Sequence, residues 1–399
     1  MNTPIKVSHV GSLPRPNTLL AANSRVAAGE IAVEELDSIL AQSVEDVVRK
    51  QVALGIDIVN DGEYGHATSG AVDYGAWWNY SFYRLGGLTM TDVDRWANPE
   101  RVRSTPGNIR LTSFPDRRDR ARFNEAYEDP SSGIFTGRNK VANPKITGKI
   151  TYTGAALAAR DVRLLREAMD KAGAEQGFIA AISPGSAARL PNEYYQDEKT
   201  LLSDMADALA VEYRTITDAG LIVQIDAPDL AEAWDQINPE PSVADFQAWL
   251  QLRIDAINQA LTGIDPELVR LHICWGSWHG PHTTDIAFEH IVDQCLQVKA
   301  ASFSFEASSP RHAHEWKLWQ EKELNGRTLV PGLVSHSTNI VEHPELVAER
   351  LERFANIVGA EQLIASTDCG LGGRVHRQIA WAKLESLSDG TRIANQRLS

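Results

Sequence analysis

A repeating rhythm constrains this chain more than any other feature. Short β-rich runs ending in Gly, Asp, Glu, His or Cys alternate with amphipathic helical stretches. The candidate strands are IKVSHVG (5–11), IDIVNDGE (56–63), KITYTG (149–154), GFIAAISPG (177–185), LIVQIDAP (221–228), LVRLHICWG (268–276), ASFSFEAS (301–308), TLVPGLVSH (328–336) and QLIASTDCG (362–370). Between them, VEELDSILAQSVEDVVRKQVALG carries apolar residues at helical spacing and stops at a glycine, as a helix C-terminus commonly does. DEKTLLSDMADALAVEYRTITDAG, VADFQAWLQLRIDAINQAL and HPELVAERLERFANIVG follow the same pattern.

Strand–helix repetition implies parallel strands joined by crossover helices. Eight such units close a (β/α)8 barrel. Nine candidates are present, so one lies outside the barrel, and the pattern leaves open which. A doubly wound open sheet is the competing architecture. It is weakened because no GxGxxG fingerprint follows the first strand. The expected fold is therefore α/β, a single TIM-type barrel forming one catalytic domain over residues 1–399, with a long insertion after the second strand. The insertion spans roughly 64–144, where the rhythm breaks into segments rich in Trp, Tyr, Arg, Pro and Gly, such as YGAWWNYSFYRLGG and FPDRRDRARFNEAYEDP. Long loops of this kind serve as lids or contact surfaces, so the insertion is expected to cover the site or join copies in a homo-oligomer.

Composition removes several functions. The net charge is −14, with a sequence pI near 5.3. Such a surface disfavours nucleic acid and anionic membranes as partners. No apolar run approaches the roughly 20 residues of a membrane helix, and MNTPIKVSHVGSLPRP has no apolar signal core. Three Cys do not make a disulfide framework. The expected setting is a reducing cytoplasm, where a Cys near a His reads as metal-binding or catalytic.

In a barrel the active site lies where the strands end. His272 and Cys274 close one candidate strand, and an H-x-C pair on a strand shares one face. Glu306 closes the next and Cys369 the last. Together they offer one imidazole nitrogen, one carboxylate oxygen and two thiolate sulfurs, a four-coordinate zinc set. Taken singly, each residue has a plain structural reading, and Cys295, in a helical stretch, keeps it as a small buried hydrophobe. Thiolate ligands suit zinc to capturing a substrate thiol and lowering its pKa, so the chemistry indicated is S-alkylation. Asp226 and Glu63, at two further strand ends, are candidates to hold a substrate cation, against the alternative of an internal ion pair or helix cap. Ser12 and the backbone N–H groups of HVGSLPRP offer an anion site. His336 is placed to protonate a leaving group.

HVGSLPRP, DGE, QIDAPD, HICWG, FEASSPRHAHEW, VPGLVSH and STDCGLGGR occur in this order. Together they resemble the catalytic-domain family of cobalamin-independent methionine synthase, a family of zinc thiol alkyltransferases that includes the epoxyalkane:coenzyme M transferases. The resemblance covers nearly the whole chain outside the insertion. It implies a (β/α)8 barrel with zinc on His272, Cys274, Glu306 and Cys369. It also implies Gly11 and Ser12 on the substrate carboxylate, Glu63 and Asp226 on its amino group, and His336 as the catalytic histidine. The chain departs from the folate-using synthase in having one barrel rather than two, and in carrying Ala227 where that pattern has a second acidic residue.

Three readings follow. The first is methyl transfer to homocysteine from a folate or a methyl-corrinoid protein, giving methionine. The second is the opening of an epoxide by coenzyme M, with Arg101, Arg103, Arg110, Arg117 or Arg118 of the insertion on the sulfonate. The third is a zinc hydrolase or lyase on a nitrogen-rich site built from His279, His282, His312 and His314.

Overall fold

The computed structural model describes residues 4–67, 75–91, 101–134 and 144–399. Of the expected insertion, residues 68–74, 92–100 and 135–143 lie outside the described residues. Eight parallel strands form the barrel: β1 (Lys6–Val7), β2 (Ile58–Asn60), β3 (Gln176–Ile182), β4 (Ile222–Asp226), β5 (Val269–His272), β6 (Ser302–Phe305), β7 (Thr328–Val334) and β8 (Ile364–Thr367). Each ladder joins sequence neighbours from β2 through β3 round to β8, and β8 pairs with β1. The last gap, between β1 and β2, closes without a regular ladder. Asp57 donates its N–H to Val7 O at 2.9 Å, Val7 donates to the Asp57 carboxylate at 2.7 Å, and Ser8 Oγ donates to Ile58 O at 3.2 Å.

Parallel strands roofed by helices are buried on both faces, so they read as near-continuous apolar runs. β3 and β4 follow this rule, with Gln224 the buried polar exception in the middle of β4. The helix Val33–Ala53 turns Leu40, Val44, Val47, Val48 and Gln51 inward, the i, i+3, i+4 stripe of a helix on a sheet. Gln51 then reaches under the strand ends. Its amide gives to Asn60 O at 2.7 Å and takes from Asn60 N at 2.9 Å, while His9 Nε2 lies 2.8 Å from its oxygen.

The candidate strand outside the barrel is KITYTG. It belongs to Lys145–Tyr152, which pairs antiparallel with Leu85–Thr89 in a two-stranded ribbon. Its burial alternates along its length, the signature of a strand covered on one face only. The partner LGGLT escaped the sequence reading because two glycines erase its β signal. Gly87 sits at φ +84° where the register shifts, and a Cβ there would meet Lys149 O at 2.5 Å.

The ribbon is fastened to the barrel helices by a buried guanidinium. Arg84 bonds Asp161 at 2.5 Å and Glu212 at 2.8 Å, and Tyr152 OH gives a further bond to Glu212 at 2.8 Å. Among the described residues no helix is long and apolar enough to cross a membrane. Replacing Arg84 by Leu leaves Asp161 and Glu212 buried without their cation. Breaking a buried pair in this way costs about 3–5 kcal/mol, so chemical denaturation of Arg84→Leu should show a loss of that size.

Candidate metal and thiol site

Every sequence-predicted site residue stands at or just beyond the C-terminal end of a barrel strand. His272 ends β5, and the chain's next inward position is Cys274. Glu306 follows β6, Asp226 ends β4, and Cys369 and His336 lie just past β8 and β7. Glu63 lies just past β2, and Gly11 and Ser12 follow β1. All but Ser12, Asp226 and Cys369 are buried, and those three are half-buried.

Three of the four predicted metal ligands come together. The ligand atoms of His272, Cys274 and Cys369 all lie within 4.8 Å of one another, with the two sulfurs 3.7 Å apart. His272 Nδ1 is 3.1 Å from Ser304 Oγ, whereas its Nε2 is buried with no hydrogen-bond partner. A ligating imidazole shows this arrangement, one nitrogen oriented by a neighbour and the other kept for the ion. An orphaned buried nitrogen beside two sulfurs fits a thiophilic metal such as zinc. Glu306 stands outside this trio. It is buried, and its Oε1 accepts from the backbone N–H of Trp275 at 3.2 Å. Burial pushes its carboxyl up to about 8, with the cationic His312 pulling the other way.

The two thiols share their proton unequally. The hydrogen bond with Cys274 is the largest cause holding Cys369 well below the ordinary thiol value, and the His272 and His336 imidazoles beside it act in the same direction against burial. The same bond, with burial, raises Cys274. His336 is buried, with an unpartnered Nδ1. Burial pushes it down to about 3, so its ring is neutral in this state.

The second half of the site is a pair of carboxyls. Burial raises Glu63 well above the carboxylate range, and the neighbouring Asp226 adds to the effect. Asp226 is pushed up to about 7 by burial, with His272 opposing. Glu63 has φ +59°. A Cβ on Gly11 would sit 2.5 Å from Glu63 Oε1, so only glycine lets the β1 loop run this close. Ser12 carries that loop onto the β8 loop, its carbonyl accepting from Leu371 and Gly372, each at 2.9 Å.

Several supporting residues had no sequence signal of their own. Asp368 Oδ1 takes the N–H groups of Ala307 and Ser308 at 2.8 and 2.9 Å, and Oδ2 takes Ser308 Oγ at 2.6 Å. It thereby locks the Glu306 loop to the Cys369 loop. Arg15 Nη2 donates to Glu63 O at 2.8 Å and to His66 O at 3.1 Å. The adjacency of Asp368 to Cys369 was the only visible hint; the others emerge from packing.

The nitrogen-rich alternative does not assemble. Both nitrogens of His312 bond carboxylates, Asp285 at 3.1 Å and Glu315 at 2.8 Å. His282 spends Nδ1 on Asp285 at 3.2 Å and Nε2 on Trp278 O at 3.0 Å. His279 Nε2 lies 3.1 Å from His336 O, and His314 is exposed. His282 and His312 are thus held by carboxylates beside the site, His279 lies against a backbone carbonyl, and the four do not gather around one ion. The arginines offered for a sulfonate are likewise engaged: Arg101 and Arg103 on Asp116, Arg118 on Glu240, and Arg117 on Glu232 and Asp235. Arg110 is exposed at the surface. Arg117 is fully buried in the corner where the Phe114 and Trp278 rings meet edge to face, 3.9 and 4.0 Å from their centroids. Tyr127 receives Trp278 Nε1 at 2.8 Å and gives its own proton to Asp119 at 2.8 Å. Residues 101–134 therefore make a fixed wall against the β5 loop.

The model for the family described as "Cobalamin-independent synthase, Catalytic domain" matches residues 138–392. The chain belongs to this family. It is an enzyme of the methionine synthase type, a transferase. A methionine synthase of Sulfolobus acidocaldarius is 22% identical over 393 residues, covering 98% of this chain and 92% of that protein. An uncharacterised Bacillus subtilis protein, YxjH, is 25% identical over 411 residues, covering 98% and 94%. The solved structure of a B12-independent methionine synthase from Shewanella sp. W3-18-1, in complex with selenomethionine, superposes with TM-score 0.70 at 19% identity, covering 99% of both chains. That likeness establishes the shared barrel.

The His312 network yields a pH test. Burial opposes charge on His312, but its bonds to Asp285 and Glu315 outweigh it and push the ring up to about 10 from 6.5. A raised pKa contributes stability that is full below the unfolded value and lost as pH rises through the folded one. In metal-stripped protein, the stability difference between wild type and His312→Gln should be largest below about pH 6.5 and shrink as pH approaches about 10. Denaturation curves across that range measure it.

Proposed function

We propose that the protein is a zinc-dependent thiol S-methyltransferase that methylates homocysteine to methionine. The observation carrying this reading is a sulfur-rich ligand trio, His272, Cys274 and Cys369 within 4.8 Å, beside the neighbouring Glu63 and Asp226 carboxyls. Zinc on these three residues, with Glu306 as the fourth ligand, would lower the pKa of a substrate thiol so that it reacts as a thiolate at neutral pH.

The chain's own residues do the rest. Glu63 and Asp226 receive the α-ammonium of homocysteine. Burial disfavours ionisation of both carboxyls, and an arriving cation favours it, because the opposite charge offsets the desolvation that had raised them. The Gly11–Ser12 turn presents backbone N–H and hydroxyl donors to the substrate carboxylate. Gly11 is required there by its contact with Glu63 and its φ of +136°. His336 stands beside Cys369 as a neutral imidazole and supplies a hydrogen bond to the group that leaves the methyl. The methyl arrives from a folate or a methyl-corrinoid protein. The single domain of 1–399, with the described part of its excursion walling one side of the mouth, completes the proposed enzyme.

Two measurements test this. Purified Cys274→Ser and Cys369→Ser proteins should each lose most of their zinc by elemental analysis, while Cys295→Ser keeps it; zinc retained by both of the first two sinks the ligand assignment. In calorimetric titration, zinc-loaded protein should bind L-homocysteine with release of a proton, and coenzyme M weakly or not at all. Glu63→Gln should weaken homocysteine binding by about tenfold or more, the scale of a lost charged hydrogen bond. A coenzyme M response without a homocysteine response would redirect the site to sulfonate thiols.

A further inference from the structure

The floor beneath the site contains a polar crossing that the apolar rule for parallel strands does not explain. Gln224 lies mid-β4 and Arg270 mid-β5, both fully buried inside the barrel. Their neighbours along each strand on the same face are Asp226 and His272. Arg270 Nη1 donates to Ser8 Oγ at 3.1 Å, to His9 O at 3.3 Å and to Gln224 Oε1 at 3.3 Å. Gln224 Nε2 donates to Asp226 Oδ1 at 2.9 Å and to Val10 O at 2.5 Å. One side-chain amide thus links Arg270, Asp226 and the peptide that follows β1.

The direction of that amide is not free. A guanidinium only donates, so the oxygen of Gln224 must face Arg270. A carbonyl and a carboxylate oxygen accept, so the NH2 group must face Val10 and Asp226. A flipped amide would set oxygen against oxygen on one side and N–H against N–H on the other. Arg270 therefore fixes the amide, and the amide fixes both the Asp226 carboxyl and the peptide leading into Gly11. Burying such groups is costly unless they are satisfied, and two apolar residues would fill the space more cheaply. Their placement directly below the carboxyl pair accounts for the expense.

We propose that Gln224, oriented by Arg270, is a positioning residue for the amino-group subsite, and that it makes the site select thiols carrying an α-ammonium. This rests on the reading that Asp226 meets the substrate ammonium. Gln224 touches no reacting atom. It holds one oxygen of Asp226, and with it the carboxyl plane, in the direction the ammonium requires. In the same stroke it holds the Gly11 turn that meets the substrate carboxylate. Loss of this bond should therefore weaken recognition of the amino group while leaving thiol capture at His272, Cys274 and Cys369 in place.

The experiment compares two thiols on zinc-loaded protein: L-homocysteine, and 4-mercaptobutyrate, which is the same molecule without its amino group. Dissociation constants are measured calorimetrically for wild type, Gln224→Met, Gln224→Glu and Asp226→Asn, with zinc content recorded for each. Gln224→Met keeps the volume and removes the donor. Gln224→Glu keeps an acceptor on Arg270 and turns an oxygen toward Asp226, and it carries the test alone should the methionine variant not fold. Both are expected to weaken homocysteine binding roughly tenfold or more and to weaken 4-mercaptobutyrate binding by a clearly smaller factor, the part that the Gly11 turn and the carboxylate it meets contribute to both thiols. A purely structural role would move both thiols together, and equal changes, or none, overturn the proposal. Asp226→Asn separates the two levels. If it retains the wild-type preference for homocysteine, the reading of Asp226 has failed and this inference falls with it. If it loses that preference while both Gln224 variants keep it, only the role of Gln224 is overturned.

Discussion

The register of the parallel ladder is the constraint on which the site depends. Asp226 on β4 pairs with His272 on β5, and His272 pairs with Ser304 on β6. Parallel neighbours in register point the same way at the same height, so three polar side chains from distant parts of the chain are set side by side at one rim. Cys274 and Glu306 follow directly from the ends of those strands. A slip of one residue would turn each of these side chains to the helical layer. The barrel's closure then brings the β8 loop, with Cys369, round to the same sector, and the bonds from Leu371 and Gly372 to Ser12 join it to the β1 loop.

Around this register the protein tolerates an unusual density of buried charge. Arg84, Arg117 and Arg270 are all buried, as are Glu63, Glu306 and Asp368, with Asp226 half-buried beside them. Each group has a specific reason to be there. Arg84 fastens the ribbon, Arg117 packs against two rings and two carboxylates in the wall, and Arg270 orients an amide. The carboxyls at the rim are different: burial raises them, and that stored desolvation is what a cationic or metal ligand relieves. A cation placed beside those carboxyls would relieve that desolvation, and the two sulfurs with the unpartnered nitrogen of His272 are donors that suit a soft metal.

The candidate site residues stood out in the sequence because each follows or ends a strand, and TIM barrels put function at strand ends. HICWG and STDCG announced themselves by their rarity, and eight of the nine candidate strands take their places in the barrel. KITYTG misled because a β-rich run looks alike whether it joins a barrel or a ribbon, and LGGLT was hidden by its glycines. The insertion's arginines suggested an anion site, yet four of the five offered for it are paired with carboxylates, two of them remote in sequence: Arg117 with Glu232 and Asp235, and Arg118 with Glu240. Likewise HGPH and RHAH have ligand-like spacing but are absorbed by Asp285 and Glu315. Spacing reports which residues are able to meet; it carries no information on which competing partner reaches them first.

The sequence alone determined the fold class, the strand ends and the kinds of donor atom available there, because periodicity and residue chemistry are local properties. Tertiary structure alone decided which donors converge. It gathered His272, Cys274 and Cys369 within one ion's reach, and it set Glu306 beside them on a backbone amide. It also made Glu63 and Asp226 neighbours across the barrel mouth and turned Gln224 and Arg270 into a floor beneath them. Distances between strands separated by a hundred residues or more are fixed only when the sheet closes on itself, and no local pattern encodes that closure.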